Sequence, residues 1–246
     1  MNHVVKKQQG FTIIELVLAM TFISFLLLAI AMSIIQLGAI YNQGTTVKEI
    51  NQASRDINDD LRRNISSTSS LDLTTDYVLS PATNPAGGRL CLGAYSYIWN
   101  YAKAIDSNAP GLTKNQGAAA SVKPPAFIKV PDQSGLYCEK NPSTGQLVQG
   151  SIREEDIDNI QELLKPGDHE LGIHNFSFVT PVPATALDAN TDQQLYSLTY
   201  TIGTTKISAL NATQSACLAA GVANADPLYC NVQPFSLVIR AGNGVN

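Results

Sequence analysis

The chain has 246 residues, room for one generous domain or two small ones. Its 16 basic and 20 acidic residues leave a net charge of −4, and only 15% of positions are charged. That balance argues against a broad nucleic-acid surface, which needs basic charge, while the abundance of Ser, Thr, Asn and Gln suits a secreted or surface-exposed protein.

The first predicted element follows a short cationic leader. Lys6 and Lys7 precede Gln8-Gln9-Gly10, and Phe11-Thr12-Ile13-Ile14-Glu15 opens an apolar run that lasts to about Ile35. Over residues 16–35 only Thr21, Ser24 and Ser33 interrupt Leu, Val, Ala, Met, Phe and Ile, with no Pro or Gly. A helix of about 20 such residues crosses the hydrocarbon core of a bilayer, and nothing local breaks its backbone hydrogen bonding. Lysines on the leader side alone place the leader in the cytoplasm and the C-terminal bulk outside. A secretory signal has a shorter apolar region and a small-residue cleavage site. A plain signal anchor explains the span but gives no reason for Glu15, the one charge in it.

Gly10, Phe11 and Glu15, set between the leader lysines and the apolar run, resemble the class III signal of type IV pilins and type II secretion pseudopilins. The resemblance implies that a prepilin peptidase cuts after Gly10 and methylates the new N-terminal Phe11. It also implies that Glu15 meets the amino group of a neighbouring subunit's first residue during filament assembly. The partners that follow are the peptidase, other pilin or pseudopilin subunits, an inner-membrane assembly platform, and the bilayer before assembly. On this scheme residues 1–10 are the leader, 11–37 the transmembrane and filament-core half of a long helix, 38–66 its amphipathic half, and 67–246 an extracytoplasmic β-rich head. Loss of Lys6 and Lys7 takes the net charge from −4 to −6. The expected location is a single pass of the inner membrane and then a cell-surface filament.

The second half of the helix is read from periodicity. Val47, Ile50, Ala53, Ile57, Leu61 and Ile65 recur every three or four positions, between Lys48, Glu49, Arg55, Asp56, Asp59, Asp60, Arg62 and Arg63. This is an amphipathic stripe with a solvated charged face. Ser66-Ser67-Thr68-Ser69-Ser70 ends it with side chains that compete for backbone hydrogen bonds. The two halves predict one helix from about Phe11 to Ile65, roughly 80 Å long, with Gly38 and Gly44 as points of kinking or melting. Asp59-Asp60-Leu61-Arg62-Arg63-Asn64 resembles the Asp-Leu-Arg pattern of the J-type pseudopilin and W-type minor pilin group. The absence of proline from the membrane half also fits a minor pilin.

Beyond the helix, strand-favouring segments at residues 77–79, 89–92 and 95–99 lie between Gly or Pro boundaries. Gly87-Gly88 reads as a turn, and residues 100–122, small and polar, as a surface excursion. Residues 152–165 read as a short helix stopped by Pro166-Gly167. The clearest strands are 173–179, 195–202 and 235–239, where apolar and polar residues alternate. The expected fold is α+β: a long N-terminal helix packed on one antiparallel sheet, as in pilins.

Cys91, Cys138, Cys217 and Cys230 all lie beyond the membrane run, consistent with an oxidising side. Of their three possible pairings, the local one, Cys91–Cys138 with Cys217–Cys230, clasps one loop-rich region each and is the expectation. Asp188, Asn190 and Asp192 have the alternating oxygens of a calcium loop, but Gln193 stands where glycine is needed and Thr199 where the last acid should be. A polar hairpin loop is the preferred reading there. Glu154, Glu155, Asp156 and Asp158 read as a solvated face. His3, His169 and His174 lack a ligand or catalytic partner set, and no phosphate loop or nucleophile triad can be assembled. No cofactor is expected. The chain is therefore expected to be a non-enzymatic structural subunit, a minor pilin or pseudopilin that initiates or tips a filament. The alternative is an adhesive or DNA-uptake pilin, with the 100–122 excursion and Tyr95, Tyr97, Trp99 and Tyr101 as its contact surface.

Overall fold

The computed structural model describes residues 11–119, 122–164, 170–180 and 194–242. The chain divides into two compact units, Met1–Asn42 and Gln43–Asn246. Helix α1 (Ile13–Ser66) contributes to both and is unbroken. The melting expected around Gly38 and Gly44 does not occur, because in mid-helix a glycine's penalty of about 1 kcal/mol is small beside the hydrogen bonds on either side.

In the first unit, residues 11–38 are exposed throughout, and this stretch makes α1 long and apolar enough to cross a membrane. Its hydroxyls are turned inward on the backbone. Thr21 donates to the Leu18 carbonyl (2.9 Å), Ser24 to Met20 (2.8 Å) and Ser33 to Ala29 (2.9 Å). Each of these three hydroxyls is thereby satisfied within its own helix, which is what a hydrocarbon surrounding demands.

In the second unit, α1 buries Thr46, Ile50, Ser54, Ile57, Leu61 and Ile65. The stripe is the expected one except that Thr46 and Ser54 are buried beside the half-buried Val47 and Ala53, Ser54 because its hydroxyl meets that of Tyr200 at 2.9 Å. The helix ends as its serine-rich tail suggests: Ser66, Ser67 and Thr68 hydroxyls donate to the carbonyls of Arg63, Asn64 and Ile65, filling acceptors left open by the last turn.

Among the described residues the head holds two antiparallel sheets where one was expected. The first contains β1 (Tyr77–Ser80), β2 (Gly87–Cys91), β3 (Tyr95–Asn100), β4 (Phe127–Pro131) and β5 (Gln161–Glu162), side by side in that order. The second contains β6 (Leu171–Val179), β7 (Gln194–Thr204) and β8 (Val232–Ala241), again in order. One apolar cluster joins them to the helix: Ile57, Leu61 and Ile65 of α1 share it with Leu90, Tyr97, Trp99 and Phe127 and with Phe176, Tyr196, Leu198 and Ile202. Trp99 stacks on Phe176 at 4.2 Å between ring centres, an aromatic contact that ties the two sheets together. After β8, the Gly242 N–H donates to the Thr68 carbonyl (2.8 Å) and closes the last strand on the end of α1.

The sheets differ in how their faces are covered. The second alternates buried and exposed positions, as a half-solvated sheet must. The central strands of the first, β2 to β4, are buried on both sides, since Val78, Cys91, Ile98, Ile128 and Val130 pack with Tyr137, Cys138 and Ile152 in a second cluster. This explains why β4 was not anticipated: Phe-Ile-Lys-Val-Pro is buried almost without interruption and shows no period of two.

Three local readings are corrected. Gly87-Gly88 is not a turn but the start of β2, where a Cβ added at Gly87 would lie 2.0 Å from the Trp99 carbonyl oxygen and one added at Gly88 would lie 2.3 Å from the Trp99 ring. Residues 152–164 form no α-helix; a 3₁₀ turn (Glu154–Asn159) leads into β5, because Ile152 is drawn into the second cluster and Gln161 pairs with Lys129. Residues 100–122 do not begin as a surface excursion. Asn100 is buried and holds the backbone of Thr113 at 2.9 Å in both directions, with α2 (Ala102–Asp106) between them.

Candidate functional site

The site singled out by sequence lies at the start of α1. Thr12 precedes the helix and Glu15 stands in its first turn. The Thr12 N–H and hydroxyl both donate to Glu15 Oε2, at 3.1 and 2.9 Å, and the Glu15 N–H donates to Thr12 Oγ1 at 3.3 Å. This is a reciprocal capping box, in which two otherwise open helix donors are satisfied by side chains. Phe11, next to it, is fully open to its surroundings. Sequence reasoning gave Glu15 a task between chains and overlooked its task within the chain. The signal was present in Thr12-Ile13-Ile14-Glu15, the Thr-x-x-Glu spacing of such a cap.

A second set of polar contacts fixes α1 on the sheets of the head. Tyr97 of β3 donates to Asp60 Oδ2 (2.5 Å) and accepts from Asn64 Nδ2 (2.8 Å). Lys129 of β4 pairs with Asp60 Oδ1 at 3.0 Å, both side chains being largely buried. On the second sheet, the Tyr200 hydroxyl donates to Asn58 Oδ1 (2.9 Å) and lies 2.9 Å from Ser54 Oγ. Asp60, assigned to a solvated face, is therefore a docking residue of the helix. The reason is tertiary: only β3 and β4 decide which acids of the run meet a cation.

Burial pushes the Tyr97 phenol up, reinforced by its bond to the Asp60 carboxylate, and burial raises Tyr200 to about 12. Tyr77, Tyr101 and Tyr137 are raised as well, first by burial. Between about pH 10 and 12 the folded head keeps protons that the unfolded chain has already released, so its stability falls as pH rises. Arg89, lowered to about 10 by burial, acts in the opposite sense, but five tyrosines outweigh one arginine. The melting temperature should decline steadily from about pH 9.5 to about pH 11.5 as tyrosinate absorbance appears. A flat profile would contradict the buried phenols.

Arg89, in the middle of β2, was not anticipated as special. Only 1% of it is exposed. Nη1 donates to the carbonyls of Tyr137 (2.8 Å) and Gln149, and Nη2 to Gly150 O (3.1 Å) and Thr113 Oγ1 (3.2 Å). The Arg89 and Arg153 guanidiniums lie over the Tyr137 ring, 5.7 and 5.8 Å from its centre. Asp156, also assigned to a solvated face, is instead buried, accepting from the Tyr137 hydroxyl (2.6 Å) and from Arg153 Nε (2.8 Å). Glu155 remains at the surface, on Arg153.

The cysteines form two bridges, Cys91–Cys138 and Cys217–Cys230, with Cα atoms 6.2 and 5.9 Å apart. The first ties β2 to the loop that Arg89 organises. Tyr97 and Trp99 are wholly buried and Tyr101 half-buried, so of the aromatic group proposed as a contact surface only Tyr95 is exposed. His174 is half-buried between Gln214 Oε1 (3.4 Å) and the Thr204 carbonyl (3.2 Å), and burial holds it below the usual imidazole range. Its neighbours are an amide and a backbone oxygen, a structural setting. Lys6, Lys7 and Gly10, His3 and His169, and the calcium candidate Asp188, Asn190 and Asp192 lie outside the described residues.

A groove of about 860 Å³ is lined by Lys114, Lys123, Pro125, Ile160, Glu162 and Lys206 among others. Lys123 is bound to Glu170 (2.5 Å) and Lys206 to Asp226 (3.1 Å). Among the described residues no group of three or more His, Cys, Asp or Glu side chains is placed to hold a metal ion. No family model, curated protein or solved structure matches this chain.

Proposed function

We propose that this chain is a minor pilin or pseudopilin, a non-enzymatic structural subunit. It is cut after Gly10, methylated on Phe11, and assembled at the start or tip of a type IV pilus or secretion filament. The observation that carries this reading is the Gly10-Phe11-Thr12-Ile13-Ile14-Glu15 signal at the head of a single 54-residue helix, exposed and apolar in its first part and one-sided in its second. An apolar helix that first needs lipid can exchange it for the helices of neighbouring subunits, while the amphipathic part remains bound to its own head. A disulfide-braced exterior with few charges supports an extracytoplasmic head. The adhesive alternative has less support, since the aromatic side chains it would use are mostly core.

The test is mass spectrometry of the N-terminal peptide from sheared surface filaments and from membranes. The expected peptide begins at N-methylated Phe11 and is scarce in filaments relative to another pilin. An intact leader in both fractions would overturn the assignment and leave a signal-anchored surface protein.

A further inference from the structure

The chain carries the triplet Asn-x-Ser/Thr at Asn64-Ile65-Ser66, Asn175-Phe176-Ser177 and Asn211-Ala212-Thr213; in Asn141-Pro142-Ser143 the central proline spoils the pattern. This is the acceptor pattern for an N-linked sugar, a bulky group that needs a surface segment. The acceptor must offer a carboxamide with a spare N–H, a hydroxyl two residues on that reaches it, and a backbone that an enzyme can surround. The three triplets stand in three different settings.

Two of them fail, for different reasons. Asn64 sits on α1, and both hydrogens of its Nδ2 are taken, by the Asp60 carbonyl and the Tyr97 hydroxyl at 2.8 Å each. Asn175 is exposed but lies inside β6, paired with Thr201. The residue after it, Phe176, is 1% exposed and stacked on Trp99. Positions two apart in a strand are roughly 7 Å from each other, so the Ser177 hydroxyl reaches the Asn175 amide only if the pairing breaks.

Asn211 opens a hairpin tip, residues 211–216, closed by the pairing of Leu210 with Cys217 and by the Asn211 N–H on the Ala216 carbonyl (2.9 Å). Ala212, Thr213, Ser215 and Ala216 are exposed. The Thr213 hydroxyl donates to Asn211 Oδ1 at 3.2 Å, and the Ser215 N–H donates to the same oxygen at 3.0 Å. Donors on the oxygen polarise the carboxamide and make its N–H groups more acidic. One Nδ2 hydrogen is on Ser215 Oγ (3.2 Å), and the other has no partner among the described residues. Here the hydroxyl is in reach, an N–H is spare and the backbone is open.

We propose that Asn211 is an N-glycosylation acceptor. The co-reactant is a sugar carried on a lipid pyrophosphate. The bond from its anomeric carbon to the pyrophosphate oxygen breaks, and the electron pair leaves with the oxygen. A bond from that carbon to Asn211 Nδ2 forms, and the spare hydrogen departs as a proton to a base of the transferase. Thr213 is a positioning residue, since it acts through the carboxamide. The tip carries neither a charge nor a large apolar side chain, so a hydrophilic glycan covers nothing that needs another partner. This inference rests on the extracytoplasmic reading of the head and not on the filament reading.

The test is peptide mass spectrometry on the full chain purified from the membranes of its own cells. Cleavage at Arg89 and Lys206 puts the three asparagines on separate peptides. The expected result is a glycan on the Asn211 peptide, released by an amidase that leaves aspartate at 211. Occupancy at Asn175 should be several-fold lower, and Asn64 should be bare. Thr213→Val should abolish the modification and Thr213→Ser should retain it, both with native melting temperatures. Protease added to intact cells reports which side the head is on. A bare Asn211 on a head that the protease digests overturns the proposal and leaves the extracytoplasmic reading intact. Equal occupancy at 175 and 211 also overturns it, since the fold would then select nothing. A head protected from the protease overturns the extracytoplasmic reading, and the proposal with it.

Discussion

Glu15→Gln should keep the start of α1 folded and still remove the subunit from filaments. Glutamine is an accepted partner in a capping box, so the acceptor for the Thr12 N–H, at 3.1 Å in the native chain, remains. What disappears is the negative charge. If Glu15 meets the amino group of a neighbour's Phe11 in the dry interior of a filament, Glu15→Gln leaves that amine buried and unpaired. Breaking a buried pair in this way costs about 3–5 kcal/mol, two orders of magnitude or more in incorporation. Thr12→Ala is the reciprocal variant: it damages the cap, at a typical cost of about 1 kcal/mol, and keeps the carboxylate. Quantifying each variant in sheared filaments, with cleavage and membrane insertion checked in parallel, separates the two roles. Glu15→Gln falling far below Thr12→Ala assigns the residue to assembly. Native incorporation of Glu15→Gln would mean that Glu15 is a helix cap and nothing more.

The largest loss of stability is expected from Arg89→Ala. The guanidinium is the donor for three backbone carbonyls, those of Tyr137, Gln149 and Gly150, and for the Thr113 hydroxyl. Truncation strands these acceptors and opens a space under β2 next to the Cys91–Cys138 bridge. Each buried acceptor left without a donor costs about 1–3 kcal/mol, moderated where water enters the space, so a total near 4 kcal/mol is expected. In a domain of this size that lowers the melting temperature by about 10 °C. Arg55→Ala, on the exposed face of α1, is the control and should stay within about 0.5 kcal/mol. Thermal unfolding of both variants in the same bilayer discs decides the matter. Equal melting temperatures would remove Arg89 from the stabilising framework.

Arg89 also illustrates why a sequence withholds such residues. An arginine inside Gly-Gly-Arg-Leu-Cys looks like any strand charge that faces water. Its burial follows from a loop that closes over β2 from 48 to 61 positions away, and no local pattern records that closure. The same holds for Asp60 and Asp156. Each belongs to a run of acids in which all members look alike; Tyr97 and Lys129 from the first sheet select Asp60, and the distant Tyr137 hydroxyl, with the neighbouring Arg153, selects Asp156.

Elements whose hydrogen bonds are local, or whose two faces see different surroundings, were legible from residue order. The long helix was, since its apolar run and three-to-four spacing are set by backbone geometry alone, and its end at Ser66 follows from hydroxyls that reach their own carbonyls. So were β6, β7 and β8, because a sheet with one wet face must alternate. The first sheet was legible only in pieces. Covered on both faces, it does not need to alternate, and β4 and the split into two sheets were settled by what packs above and below. Residue order alone determined the apolar helix, the Glu15 that punctuates it and the position of the cysteines. Tertiary structure decided which polar groups were enclosed, because enclosure depends on partners brought from distant parts of the chain.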